Sequence, residues 1–380
     1  MGPLSGLKII ELVGLGPGPF VGMLLADLGA EVIAVDRVGS SEAPQLAIDI
    51  HRRGKKSIVL DLKSAAGKEI LFKLCSESAA VFEGFRPGAV EKLGIGPEEC
   101  LEQNPSLVYG RMTGWGQTGP LAKSAGHDIN YIALTGALHA MGFKNSVPTP
   151  PLNLIGDYAG GMFLALGMVS AILHAKNTGE GQVIDAAMVD GVNILMTLFH
   201  SFYASNMWGP ERESNLLDGG AHFYRCYRTK DNKFISLGAI EKPFMKLFIE
   251  KAELAPDFIQ AHNNPTQWPE LARELEQVFA TRTQQQWCDL LENTDACFAP
   301  VMPFWEAPNH FHNIEREAFL TVNDVVQPTP APRFSKTCLN TNGVPVDAGA
   351  DSKNILTELG YSESDIQQII ADQAVYTSRG

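Results

Sequence analysis

The first hundred residues alternate short apolar runs with amphipathic stretches. LKIIEL (residues 7–12), EVIAVD (31–36), KSIVLDL (56–62), AAVFEGF (79–85) and SLVYGRMTG (106–114) are apolar segments of strand length. Between them, VGMLLADLGA (21–30) and residues 67–76 have helical spacing. Strands that stay apolar rather than alternating are buried on both faces. Their alternation with helices predicts a parallel sheet covered on either side. The fold class expected is α/β: a Rossmann-like large domain with a parallel sheet, plus a smaller α+β domain.

The pattern changes after residue 115. Residues 115–155 are rich in Gly, Pro and polar positions, with an apolar helix expected from Ile129 to Met141. NSVPTPPLNLIGDYAGG (145–161) reads as a loop entering a helix that starts after Asp157. Residues 181–205 read as a strand or turn and then a long helix, and 205–220 as a polar, Gly-rich linker. FYRCYRTKDNKFISLGAI (223–240) is an expected hairpin, followed by several helices, and a last helix spans 352–371. The boundaries expected are 1–187 and 331–380 for the large domain, 223–310 for the small one, and linkers at 188–222 and 311–330.

The chain has 380 residues, 45% hydrophobic and 19% charged, which is enough for two domains with sizeable cores. Its formal net charge of -13 argues against a general nucleic-acid or anionic-membrane binder, yet leaves room for an anionic ligand at a local basic cluster. The cysteines lie far apart and form no Cys-x-x-Cys pair, which suits reduced thiols in an intracellular protein rather than a disulfide framework or a zinc site. MGPLSGLKIIELVG shows neither a secretory signal nor Arg-rich transit character, and YTSRG is no recognisable targeting tripeptide. The most apolar run, Gly160 to Ala175, is too short and glycine-broken to span a bilayer.

Several motifs bear on chemistry. GLGPGPF (14–20) follows the first strand and opens a helix, the position of a dinucleotide-binding loop. Its spacing is not G-x-G-x-x-G, and two prolines remove N–H donors, so a tight strand–helix turn is the better reading. HRRGKK (51–56) is the densest basic cluster; with Arg37 and Lys92 it is either a polyphosphate contact or a solvated loop. His127 and Asp128 of GHDINY, Asp157 of LIGDYAGG and Glu241 of SLGAIE each have a structural reading, as helix caps or an exposed loop carboxylate. One chemistry uses them together. A racemase acting beside a carbonyl removes a proton from one face of a carbon and returns one to the other. It needs two acid/base groups, one protonated and one not, and His127 with Asp157 supplies such a pair. Glu241 could then orient the imidazole, and helix N-terminal amides could hold the enolate oxygen. GGMFLALGM and Met162, Met168 and Met188 are candidates for either an adaptable apolar surface or core.

These blocks, in their order along nearly the whole chain, resemble the α-methylacyl-CoA racemases, which belong with the family III CoA-transferases. The resemblance runs from LKIIELVGLGPGPFVGMLLADLGAEVIAVDR through GHDINYIALTGAL, PLNLIGDYAGGMFLALG, TGEGQVIDAAMVDG and NLLDGGAHFY to SLGAIE. It implies that His127 and Asp157 are the catalytic acid/base residues and that Glu241 contacts the His. It implies coenzyme A contacts at Arg37, at Val59, Leu60, Asp61 and Leu62, and at Gly126, Asn130 and Tyr131, to which Lys92 is added. The fold it implies is an interlocked homodimer, with active sites shared between the large domain of one subunit and the small domain of the other.

The activity implied is interconversion of (R)- and (S)-2-methylacyl-CoA thioesters through an enolate, in branched-chain fatty acid or bile acid intermediate metabolism. Asp128 sits where the related transferases keep a nucleophile, so CoA transfer is the alternative; in a racemase Asp128 would offer its amide to the enolate. A non-catalytic acyl-CoA-binding protein and a dehydrogenase are weaker alternatives. No metal or redox cofactor is implied, coenzyme A being part of the substrate, and no nucleic acid or membrane partner is expected. The resemblance implies a peroxisome or mitochondrion. The ending SRG does not resemble the peroxisomal tripeptide, which leaves the cytoplasm open.

Overall fold

A computed structural model describes residues 1–39, 46–339 and 343–377. The C-terminal tripeptide 378–380 lies outside the described residues. The structure divides into two compact units: 1–134 with 152–194 and 316–380, and 135–151 with 195–315.

The described part of the first unit is built on a seven-stranded sheet. Its strands are β1 (Lys8–Leu12), β2 (Glu31–Arg37), β3 (Lys56–Leu60), β4 (Ala80–Glu83), β5 (Val108–Thr113), β6 (Gln182–Ala187) and the C-terminal Val375–Tyr376. The order is Val375–Tyr376, β3, β2, β1, β4, β5, β6, parallel throughout except for the C-terminal strand. Side-chain alternation divides the core between the two faces. Ile10, Leu12, Ile33 and Val35 pack towards Ile70, Leu71 and Leu74 of α1 (Ala65–Ser76). Ile9, Val32 and Phe82 pack towards Val21 and Leu25 of the helix Pro17–Asp27 and Leu164 and Met168 of Gly160–Thr178. Helices on both faces explain why these strands carry no polar alternation.

Local signals set several boundaries. Ser64 caps α1 by accepting from the Gly67 amide at 3.0 Å. The helix Pro17–Asp27 begins on Pro17, with Gly16 before it at φ +71, a left-handed conformation that suits glycine. The helix expected over Ile129 to Met141 is shorter: α2 covers Asp128–Leu134 and stops before Gly136 at φ +82, beyond which only a 3-10 turn, Leu138–Ala140, forms. The helix expected after Asp157 is also different. Residues Leu154–Ala159 form a π-helical turn that leads into Gly160–Thr178, so Asp157 lies inside a turn rather than capping a helix. The last helix is two, Ser352–Glu358 and Glu363–Ala371, separated by Gly360 at φ +83.

By length and composition, 154–178 is apolar enough to cross a membrane. Leu164, Met168, Ala171, Ile172 and Ala175 of this helix are buried in the core, while Leu166 and Leu173 are 63% and 61% exposed.

The second unit carries the expected hairpin, Tyr224–Arg228 with Phe234–Gly238, extended by Phe298–Val301 into a three-stranded antiparallel sheet. Tyr227, Phe248, Phe279 and Trp287 stack behind it, with ring centroids 4.8–5.6 Å apart. No disulfide joins the cysteines among the described residues.

Candidate active site

In an open parallel sheet, ligands bind beyond the carboxyl ends of the strands, where the strand order reverses. Here the order reverses between β1 and β4. A cavity of about 290 Å³ lies there, walled by Leu15, Gly16 and Pro17 after β1 and by 84–87 after β4. Trp115, Met188, Gly126, His127, Tyr131 and Asp157 complete it. The glycine-rich loop thus forms a wall of this cavity. An added Cβ on Gly16 would stand 3.8 Å from Asp157 Oδ2.

Each wall is held by identifiable contacts. Buried Glu83 accepts from the Phe85 amide at 2.5 Å and from Arg111 Nε at 3.0 Å, which fixes the turn after β4. Burial raises the Glu83 pKa, and the Phe85 amide and Arg111 oppose that rise. The segment carrying His127 closes on itself. The Tyr131 hydroxyl donates to the Gly126 carbonyl, and the His127 amide donates to Asn130 Oδ1 at 3.0 Å. Tyr131 packs edge-on against Trp115 and over Gly114, where a Cβ would fall 2.0 Å from its ring. His127 itself is exposed.

Asp157 is half-buried and reaches the same cavity from the π-turn. Asn153 Nδ2 donates to its Oδ2 at 3.2 Å. Burial raises the Asp157 pKa, and the Asp128 charge adds to the rise; Asn153 and the nearby His127 oppose it. A carboxyl raised in this way holds and releases a proton more readily near neutrality than an exposed one. Asp128 has a different place. It is 5% exposed, its Oδ2 accepts from the Asp157 amide at 2.8 Å, and it does not line the cavity. A Cβ on Gly156 would sit 2.6 Å from that oxygen, so the close approach requires glycine.

The remaining candidates are distributed. Arg37 is exposed at the end of β2, paired in register with Leu60. Val59, Leu60 and Leu62 turn into the core, Asp61 Oδ1 accepts from the Lys63 amide, and Lys92 is exposed. Glu241 belongs to the second unit, exposed immediately before the helix Lys242–Ala252. Of the methionines, Met188 lines the cavity, Met168 is core and Met162 is 59% exposed.

The cations at 52, 53, 55 and 56 of the basic cluster are held in ion pairs within the fold. Arg52 pairs with Asp36, Arg53 with Asp27, Lys55 with Glu11 and Lys56 with Glu31 and Glu358. Two of these pairs, Arg53–Asp27 and Lys55–Glu11, are almost fully buried, while those of Lys56 lie at the surface. Asn153 was missed from the sequence. Its place four residues before Asp157 was the available signal, since that spacing brings side chains to one side of a turn.

This fold, with acid/base groups gathered at the switch point, places the molecule in a known class. The model of CoA-transferase family III matches residues 4–350, and the chain belongs to that family. It is 42% identical over 385 residues to alpha-methylacyl-CoA racemase of Homo sapiens, covering 99% of this chain and 98% of that one. It is 40% identical over 379 residues to alpha-methylacyl-CoA racemase of Mus musculus, with the same coverage. A CAIB/BAIF family protein from Brucella suis shares the fold, with a TM-score of 0.81 at 24% identity, over 94% of this chain and 99% of that one.

Proposed function

We propose that the protein is an isomerase that interconverts (R)- and (S)-2-methylacyl-CoA thioesters. The observation that carries this reading is that His127 and Asp157 reach one cavity while Asp128 is turned out of it. A thioester acidifies its α-hydrogen. One of the two groups removes that proton, giving a planar enolate, and the other returns a proton to the opposite face. The raised Asp157 pKa suits a group that alternates between acid and base. We assign Glu241, supplied by the small domain of a second copy, to orienting His127.

Coenzyme A is bound, in this reading, by Arg37 and Lys92 through its phosphates and by 59–62, Gly126, Asn130 and Tyr131 along its length. It enters as part of the substrate, and the proton transfers use side chains and backbone alone. The exposed apolar residues Leu166 and Leu173 fit a surface covered by a second copy, which supports a homodimer. The acyl groups expected are branched fatty acids and bile acid intermediates, handled in the peroxisome or mitochondrion.

The test is incubation of single enantiomers of a 2-methylacyl-CoA in D2O. Deuterium at the α-carbon together with loss of stereochemical purity is expected. Transfer of CoA to an added free acid, without exchange, would instead establish the transferase.

A further inference from the structure

Behind Asp157 lies a chain of groups that the proton transfers do not use. Asp49 Oδ1 accepts from the His51 amide and lies 3.1 Å from His51 Nδ1. That contact makes Nδ1 the protonated nitrogen of the neutral ring and leaves a lone pair on Nε2. The Tyr158 hydroxyl lies 3.1 Å from Nε2 and can donate to it. The Tyr158 ring is held edge-on by Phe20, with centroids 4.6 Å apart, and stacks on His51 at 6.0 Å.

Tyr158 follows Asp157 in the π-turn, and its amide donates to the Asn153 carbonyl at 3.3 Å. Asn153 also acts through its side chain, which donates to Asp157 Oδ2 at 3.2 Å. Asp49, His51, Asn153 and Tyr158 all line a second cavity, of about 750 Å³, which shares Leu15 and Gly16 with the first. Asp157 therefore faces the first cavity while the residues that hold it face the second.

We propose that Asp49, His51 and Tyr158 are positioning residues that aim the Asp157 carboxylate at the substrate through Asn153. The inference rests on the racemase reading above. Asp49 sets the His51 tautomer, His51 accepts the Tyr158 hydroxyl and so anchors the Tyr158 side chain, and the Tyr158 backbone amide donates to the Asn153 carbonyl. Asn153 is thereby held in the rotamer that reaches Asp157. The charged and titratable groups around this chain are Arg52 beside Asp49, and Asp128, His127 and Tyr131 beside Asp157. A misaimed carboxylate slows the proton transfer and leaves binding of the CoA portion intact.

The experiment compares Tyr158→Phe, His51→Gln and the double variant in full-length protein, with a 2-methylacyl-CoA as substrate. Each single variant should lower kcat by about tenfold with KM little changed. Each should displace the limb of the kcat/KM pH profile that reports Asp157, and slow α-deuterium exchange for one enantiomer only. The double variant should be no worse than the poorer single. Wild-type profiles in both single variants, or losses that multiply in the double, would overturn the relay. Tyr158→Phe keeps the ring and its packing on Phe20, so folding does not confound the result. If the wild-type protein racemises nothing, the racemase reading fails; if it racemises and the variants match it, only the relay fails.

Discussion

The carboxylate of Asp128 accepts a hydrogen bond from the backbone amide of Asp157 at 2.8 Å, so the residue at the position of the transferase nucleophile supports the acid/base residue instead. Its other oxygen is buried without a hydrogen-bond partner. A nucleophile needs an oxygen in the cavity, and Asp128 presents none there. Asp128→Asn retains an acceptor for the amide and should racemise within about tenfold of wild type. Asp128→Ala leaves a buried N–H unpaired, at a cost of about 1–3 kcal/mol. Hydroxylamine added during turnover should trap no acyl or CoA adduct on Asp128, as mass spectrometry of the recovered protein would show.

His127 and Asp157 are expected to serve opposite faces of one carbon, and this predicts one-sided variants. His127→Ala and Asp157→Ala should each lose racemisation by about 10²–10⁴-fold, the range for removal of a general acid or base. Each should still exchange the α-hydrogen of the enantiomer facing the surviving group. Proton NMR of separate enantiomers in D2O distinguishes this from general inactivation, in which exchange of both is lost together.

The Asp157 carboxyl is raised, with burial as the first cause and Asp128 next, while the Asn153 amide opposes the rise. In the direction where Asp157 is the base it must be ionised. There kcat/KM should fall as pH drops through this raised pKa, and the fall should begin above the usual aspartate range. Asn153→Ala removes a group that favours the carboxylate, so it should move that limb to still higher pH. A limb that moves to lower pH would reverse the assignment of Asn153.

The strands β1 to β5 were legible because each is a short apolar run between helical segments, the pattern of a parallel sheet covered on both faces; the half-exposed β6 read as a strand or turn, and the two-residue strand Val375–Tyr376 carries too short a pattern to be read. The π-turn at Asp157 was not legible, since single-residue propensities do not encode an extra residue in a helical turn. The ion pairs of the basic run around Arg53 were not legible for a related reason. Its partners Asp27, Asp36 and Glu11 lie 16 to 44 residues away and become neighbours only once β1, β2 and the helix Pro17–Asp27 are assembled. His127 and Asp157 were visible as candidates, yet their meeting at one cavity depends on the strand order, a long-range property. Asp128 shows the limit most directly. Its type and position suggested a helix cap or a nucleophile, and its hydrogen bond spans 29 residues to Asp157.

In the second unit, acid sensitivity should centre on His222. Its side chain is 0% exposed, and its neighbours include Phe223, Phe258 and His262. Burial, with the nearby His262 adding to it and a Phe258 backbone contact opposing it, lowers its pKa from 6.5 to about 4. The unfolded chain therefore binds a proton at His222 between about pH 6.5 and 4 that the folded chain refuses. Stability contributed by the neutral ring is complete above pH 6.5 and is lost as pH falls towards 4, by about 3 kcal/mol in all. His222→Phe removes the titrating group from an aromatic site, and should flatten the pH dependence of unfolding over that window while the wild-type protein loses stability steadily. Guanidinium unfolding followed by the fluorescence of the buried Trp287, at several pH values between 4 and 7, measures both. A His222→Phe protein that kept the wild-type slope would place the acid sensitivity elsewhere.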